Sequence, residues 1–84
     1  MKKVILLTGA SSGIGYNTAQ SLAKEGHIVY GAARRTERME DLKQFGVKPI
    51  YLDVTNEDSI KNAVDTIIEN EGRIDVLINN AGYG

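Results

Sequence analysis

The sequence predicts an α/β fold in which a parallel sheet is built from strands that alternate with helices. Four short apolar segments are typical of strands, and the segments between them have the period or the stop signals of helices. Such alternation with short connections favours a parallel sheet with right-handed crossovers. The 84 residues allow one domain at most. We expect the order β-α-β-α-β-α-β, with the strands arranged 3-2-1-4.

The strands are predicted from apolar runs. Lys3–Thr8 is almost continuously apolar, as expected for a strand that is covered on both faces. Pro49 lies near the start of the third run, where a missing backbone N–H is tolerated at a first position or in an edge strand. The other three strands are predicted at Ile28–Ala33, Lys48–Leu52 and Ile74–Ile78.

The first two helices are predicted from their start and stop residues. The first covers Gly13–Glu25 and ends at Gly26. A short second helix begins with Thr36 as its N-cap and ends at Gly46. Its apolar side consists of Met39, Leu42 and Phe45.

The third helix has the clearest amphipathic pattern. Thr55 and Asp58 precede it as a weak capping box, with Asp in place of Glu or Gln. The spacing i, i+3, i+4, i+7, i+8 predicts one apolar face. That face consists of Ile60, Ala63, Val64, Ile67 and Ile68.

Composition and charge exclude several classes of function. The formal net charge is −1, which gives no reason to expect nucleic acid or an anionic membrane as a partner. The sequence has no cysteine, and a single histidine, His27, cannot build a zinc site. The apolar run Val4–Leu7 is too short for a secretory signal or a membrane span. We therefore expect a cytoplasmic protein without a metal site.

A polar or glycine-rich motif follows each of the four predicted strands. In open parallel α/β sheets, ligands bind outside the carboxyl ends of the strands. Four such motifs at one edge indicate a dinucleotide. The motifs are Thr8–Gly15 (TGASSGIG), Arg34-Arg35, Asp53-Val54 and Asn79–Gly82 (NNAG).

The glycine-rich motif lies between the first strand and the first helix. Glycines allow a tight turn and the close approach of a pyrophosphate, whose charge then lies at the helix N-terminus. The spacing is G-x-x-x-G-x-G, which differs from G-x-G-x-x-G and lacks the Gly-Lys-Ser/Thr of a P-loop. A plain strand-to-helix turn is the alternative interpretation of this motif by itself.

TGASSGIG together with NNAG after an apolar strand resembles the short-chain dehydrogenase/reductase family, and the resemblance covers the family's N-terminal, cofactor-binding half. It implies a Rossmann-like, doubly wound parallel sheet. It also implies that Asp53 and Val54 lie at the adenine ring of the cofactor. The cofactor's phosphates and adenosine ribose would be flanked by Gly9, Ser11, Ser12, Gly13, Ile14 and Gly15. The ribose on the nicotinamide side would be bordered by Asn80, Ala81 and Gly82.

Two of these positions have a structural alternative. Asp53 has the position of a turn residue that leads into the cap at Thr55. Asn79 is expected to be a structural hydrogen-bonding residue that ties the fourth strand to its neighbour, rather than a residue that contacts the cofactor.

The end of the second strand favours NADP over NAD. An acidic residue there binds the ribose 2′-hydroxyl of NAD, whereas an arginine accommodates the 2′-phosphate of NADP. Ala33 has the position of the acid, and Arg34 and Arg35 follow it. Guanidinium groups bind phosphate through paired, charge-assisted bonds. The alternative is that both arginines are simply solvated, and Ser12 stands where NADP-preferring relatives often carry a second basic residue.

The resemblance implies that hydride transfer uses a Tyr-x-x-x-Lys pair and a serine beyond the fourth strand. Within residues 1–84, none of the four tyrosines has a lysine four residues later, so no catalytic residue is assigned. We expect residues 1–84 to be the N-terminal part of a single NADP-binding domain whose catalytic half is absent, and to be inactive alone.

The parent protein is expected to be an NADP-dependent oxidoreductase that interconverts a carbonyl and an alcohol in a small-molecule substrate. It is expected to be a homo-oligomer that binds neither nucleic acid nor membranes. Two alternatives come from other classes: a non-catalytic module that binds or senses NADP, and a methyltransferase-like domain that binds S-adenosylmethionine. The absence of an acid after the second strand argues against the methyltransferase.

Overall fold

The computed structural model describes residues 2–10 and 13–80. The elements follow in the order β1 (Val4–Thr8), α1 (Gly13–Lys24), β2 (Ile28–Ala33), a 3-10 helix (Thr36–Phe45), β3 (Lys48–Tyr51), α2 (Glu57–Glu71) and β4 (Val76–Ile78). The strands form one parallel sheet in the order β3-β2-β1-β4. The predicted fold class and strand order are confirmed.

One of the two inner strands of this sheet is β1, and all five of its residues are buried. It pairs with β2 on one side and β4 on the other, so that Leu6 lies beside both Tyr30 and Leu77. Pro49 lies on β3, which is an edge strand. A proline is tolerated in an edge strand because the outer side of such a strand has no neighbouring strand to which an N–H could donate.

The two faces of the sheet carry separate apolar cores. One core lies between the sheet and the pair formed by α1 and the 3-10 helix. It contains Leu7, Ala10, Ala19, Val29, Ala33, Met39, Leu42 and Val47. The other core lies against α2 and contains Val4, Leu6, Tyr30, Ala32, Leu52, Ala63 and Ile67.

The second helix predicted from the sequence has nearly the expected position but is a 3-10 helix. Its predicted N-cap is wrong, because Thr36 is the first helical residue and Arg35 is the N-cap, without a side-chain cap bond. Met39, Leu42 and Phe45 are three residues apart, which matches the three residues per turn of this helix type. Met39 and Leu42 are fully buried, and Phe45 packs against the same core. Gly46 ends the helix with a φ of 91°, and its N–H donates to the carbonyls of Leu42 and Lys43.

The predicted N-cap of α2, Thr55, is wrong by one residue. Asn56 is the N-cap, because its side-chain oxygen accepts a hydrogen bond from the backbone N–H of Ser59 at 3.1 Å. The expected capping box of Thr55 and Asp58 does not form. The hydroxyl of Thr55 bonds to Asp53 instead.

The strand β4 is shorter than the predicted Ile74–Ile78 because Asp75 bonds to β1 through its side chain. The N–H of Val4 donates to the carboxylate of Asp75 at 2.8 Å, and the N–H of Asp75 donates to the carbonyl of Val4 at 2.8 Å. A side-chain acceptor therefore replaces a ladder carbonyl, and regular pairing begins at Val76.

Candidate functional site

All four parallel strands end at one edge of the sheet, which we call the carboxyl edge. Each predicted motif begins where a strand ends, so the fold brings the motifs together there. The predicted site residues that the structure describes are Gly9, Gly13, Ile14, Gly15, Arg34, Arg35, Asp53, Val54 and Asn80. The predicted site residues Ser11, Ser12, Ala81 and Gly82 lie outside the described residues.

The glycines after β1 have different roles. Gly9 has a φ of 69°, in the left-handed region that favours glycine. Gly15 is buried, and a Cβ there would overlap the carbonyl oxygen of Gly9. Gly13 is exposed, and a Cβ there would meet no atom of residues 2–10 and 13–80 within 4 Å. Gly15 therefore allows α1 to pack closely on the loop, whereas the space around Gly13 is open.

The start of α1 is suited to an anion. The first backbone N–H groups of a helix have no partner within the helix, and the helix dipole favours negative charge beside them. Ile14 lies in this first turn with 77% of its surface exposed. A glycine beside a helix N-terminus fits a pyrophosphate, because it has no side chain of its own to prevent close approach, and no described residue fills the space beside Gly13.

The hydroxyl of Thr8 joins β1 to the segment that follows β4. It donates to the side-chain oxygen of Asn79 at 2.9 Å and accepts from the backbone N–H of Asn80 at 2.9 Å. The expectation that Asn79 ties β4 to its neighbour is confirmed. These bonds hold the Asn79–Asn80 segment beside the glycine-rich loop.

Arg34 and Arg35 follow β2 and are both exposed. Within residues 2–10 and 13–80, neither arginine forms an ion pair. Ala33 is buried at the strand end. The positive charge of Arg34 lies close enough to Asp53 to help lower the pKa of its carboxyl group. The end of β2 therefore presents two exposed positive charges, and the nearby carboxylate of Asp53 forms no ion pair with either of them.

Asp53 lies in a tight turn between β3 and α2. One carboxylate oxygen accepts from the hydroxyl of Thr55 at 2.7 Å and from the backbone N–H of Thr55 at 3.0 Å. These two bonds are the main causes that lower the pKa of Asp53 below its ordinary value, and Arg34 adds to them. The carboxylate therefore stays ionised at neutral pH.

An apolar groove lies next to the carboxyl edge on the α2 face of the sheet. Its volume is about 240 Å³. Leu77 on the edge strand β4 is 62% exposed there. The groove is lined by Leu6, Thr8, Leu52, Val54, Ile60, Val64, Leu77 and Asn79.

Other kinds of site find no support in the described part of the chain. Residues 2–10 and 13–80 contain no group of three His, Asp or Glu side chains arranged to bind a metal ion. In the same ranges, no helix has both the length and the apolar character needed to cross a membrane.

Sequence reasoning missed the residues that shape the turn after β3. Asn56 caps α2, and Ser59 accepts a hydrogen bond from the N–H of Asp53 at 2.8 Å. The turn itself was anticipated as the structural alternative for Asp53, and an aspartate often bonds to the backbone two residues ahead. Asp53-Val54-Thr55 has that spacing.

Three comparisons with known proteins fit this geometry. The family model described as short chain dehydrogenase matches residues 3–84. The chain is 51% identical to 3-ketodihydrosphingosine reductase of Bacteroides thetaiotaomicron, over 98% of this chain and 29% of that protein. The chain thus spans about a third of the length of such relatives.

Solved structures with both cofactor types are similar to this chain. L-sorbose reductase from Gluconobacter frateurii complexed with NADPH has a TM-score of 0.84 and 34% identity, over 99% of this chain and 34% of that one. NAD+-bound xylitol dehydrogenase has a TM-score of 0.84 and 38% identity, over 96% of this chain and 34% of that one. With a family match over nearly its whole length, the chain belongs to the short-chain dehydrogenase/reductase family of NAD(P)-dependent oxidoreductases.

Proposed function

We propose that residues 1–84 are the cofactor-binding part of a longer oxidoreductase that uses NADP to interconvert a carbonyl and an alcohol. The cofactor supplies the hydride chemistry when it is bound. The family assignment does not favour a methyltransferase. Residues 1–84 contain no Tyr-x-x-x-Lys pair to donate a proton to a developing alkoxide, so turnover is proposed for the parent protein and not for this segment alone.

The single observation that carries the choice of NADP is the pair of exposed, unpaired arginines after β2. Arg34 and Arg35 have no ion-pair partner among the described residues. A 2′-phosphate would supply the missing anion. Buried Ala33 stands where an acid would select the 2′-hydroxyl of NAD. Guanidinium groups bind phosphate through paired bonds, which supports selection of the phosphorylated cofactor.

The remaining candidate residues would bind the rest of the dinucleotide. The open position at Gly13 and the first turn of α1 suit the pyrophosphate. Asp53 and Val54 are proposed to border the adenine ring. Asn80 is proposed to border the ribose on the nicotinamide side, together with Ala81 and Gly82. Gly9 and Gly15 would act by shaping the loop, and Ser11 and Ser12 are proposed as further phosphate contacts.

The experiment is a calorimetric titration of the parent protein with NADPH and with NADH. A hydrogen bond to a charged group contributes about 1.5–3 kcal/mol, so we expect a preference for NADPH of about ten- to a hundredfold. Arg34→Ala should remove most of that preference. Combining it with Ala33→Asp should shift the preference towards NADH.

Lys43→Ala is the charge-matched control. Lys43 lies in the last turn of the 3-10 helix, where it pairs with Glu40 at 2.8 Å. This variant removes one positive charge away from the carboxyl edge, so it should leave the preference unchanged. Equal affinity of the wild-type protein for the two cofactors would overturn the proposed use of NADP. Tight NADPH binding without turnover on any carbonyl substrate would favour the sensing module instead.

A further inference from the structure

We infer that Thr55 is a positioning residue for cofactor recognition. Its two hydrogen bonds to one oxygen of Asp53 leave the other oxygen as a fixed acceptor for the exocyclic amino group of adenine. This inference rests on the proposed function, because it assigns the turn after β3 to the adenine end of the dinucleotide. It concerns which purine the site accepts, whereas the arginines concern the ribose phosphate.

The geometry divides the carboxylate of Asp53 into two unequal oxygens. Oδ1 accepts from the backbone N–H of Thr55 at 3.0 Å and from its hydroxyl at 2.7 Å. Within residues 2–10 and 13–80, no hydrogen bond reaches Oδ2. Two donors on one oxygen restrict rotation of the carboxylate. The second oxygen therefore keeps one direction before any ligand arrives.

The backbone that carries this side chain is also fixed. The N–H of Asp53 donates to the hydroxyl of Ser59 at 2.8 Å, and its carbonyl accepts from the N–H of Asn56 at 3.0 Å. Asn56 in turn caps α2 through Ser59. The turn is thus held from the helix side at several points, and the contribution of Thr55 is specific to the side chain of Asp53.

A carboxylate oxygen accepts hydrogen bonds and does not donate them when ionised. It suits the 6-amino group of adenine and repels the 6-oxo group of hypoxanthine. The carboxylate of Asp53 is an ionised acceptor at neutral pH, and its bonds to Thr55 lower its pKa further below the ordinary value. The expected consequence is a preference for adenine over hypoxanthine that depends on the Thr55 hydroxyl.

The test uses the parent protein and two cofactors, NADPH and its reduced hypoxanthine analogue. Thr55→Val removes the hydroxyl but keeps the shape and the backbone N–H. We expect it to weaken NADPH binding about three- to tenfold, the range for one hydrogen bond, while the affinity for the analogue changes little. Thr55→Ser restores the donor and should recover the wild-type ratio. NMR titration of Asp53 in Thr55→Val should show its pKa moving up towards the ordinary value.

Thr66→Val is the matched control, because the hydroxyl of Thr66 donates to the carbonyl of Asn62 at 2.8 Å on the exposed side of α2. It should change neither affinity. Equal weakening of both cofactors by Thr55→Val, or failure of Thr55→Ser to rescue, would assign Thr55 a purely structural role and overturn the inference. Wild-type protein that binds NADPH without preferring adenine would overturn this inference alone. Wild-type protein that binds neither cofactor would overturn the proposed function as well.

Discussion

The two edges of the parallel sheet differ in how their charged side chains are used. At the edge where the strands begin, which we call the amino edge, charged groups bind one another. Asp75 accepts from Arg73 at 2.9 Å, and Glu71 accepts from Lys48 at 3.0 Å. At the carboxyl edge, Arg34 lies exposed and forms no ion pair within the described ranges.

The bonds of the amino edge connect elements that are distant in sequence. Asp75 joins β4 to β1 through the N–H of Val4. The N–H of Lys3 donates to Nδ1 of His27 at 3.1 Å, which joins the start of β1 to the residue before β2. These contacts cross between strands, and so they stabilise the sheet itself.

The bonds of the carboxyl edge mostly shape single turns. Thr55 and Asp53 are two residues apart, and Asn56 and Ser59 are three apart. The exception is Thr8, which connects β1 to Asn79 and Asn80. The comparison indicates that the bonds of the amino edge stabilise the sheet, whereas the polar groups of the carboxyl edge are held mainly within single turns. Substitutions at the two edges should therefore affect different measurements.

The largest expected effect on stability comes from Gly15. This residue lies at the carboxyl edge, but its role is in packing. A side chain at Gly15 would overlap the backbone of Gly9, which cannot move away as a flexible side chain could. We expect Gly15→Val to destabilise the protein by about 3 kcal/mol or more, at the upper end for overpacking. Denaturant unfolding followed by circular dichroism measures this loss.

Gly13→Val is the matched substitution, two residues away in the same helix. The space around Gly13 is open, so we expect the free energy of unfolding to change by less than about 1 kcal/mol. Binding of NADPH should nevertheless be abolished, because a branched side chain would block the pyrophosphate. Unfolding of the Gly13→Val protein would mean that this position serves packing instead.

A smaller effect is expected at Tyr30, whose side chain connects β2 with the end of α2. Its hydroxyl donates to Glu71 at 2.7 Å, and only 4% of the residue is exposed. Tyr30→Phe should cost about 1 kcal/mol of unfolding free energy, the typical value for one hydrogen bond. NADPH affinity should not change. Tyr51→Phe, at a residue that is 55% exposed, should have no effect on either measurement.

The smallest effect is a pH dependence at Asp75. The N–H of Val4 and then the guanidinium of Arg73 hold the pKa of Asp75 below its ordinary value of 3.8. A carboxyl group with a lowered pKa in the folded state stabilises the fold above its unfolded pKa, and this contribution is lost as the pH falls through the folded pKa. The loss therefore begins only below about pH 4.

Asp75→Asn should lower the melting temperature at neutral pH, and the difference from wild type should shrink in acid. Asp65→Asn, in the exposed pair with Lys61 at 2.7 Å, is the control. It should change the melting temperature less at neutral pH. A difference between Asp75→Asn and wild type that stays constant into strong acid would contradict the assignment of this bond to the ionised carboxylate.

The sequence alone determined the architecture and the edge of the sheet at which the four motifs begin. Apolar runs and the helical spacing of apolar residues can be recognised locally, because buried positions recur with the period of each helix or strand. The motifs TGASSGIG and NNAG added the family, which the match over residues 3–84 supports. The structural role of Asn79, which ties β4 to its neighbour β1, was also predicted.

Only the tertiary structure decided which glycine packs and which one leaves space. Gly13 and Gly15 are equivalent in the printed motif, but the closeness of Gly15 to Gly9 exists only once α1 lies against β1. The cap at Asn56 and the bond from Thr55 to Asp53 were likewise decided there. The sequence of this turn allows several alternative hydrogen bonds between neighbouring polar side chains and the backbone. The direction in which the chain leaves β3 decides which of them form.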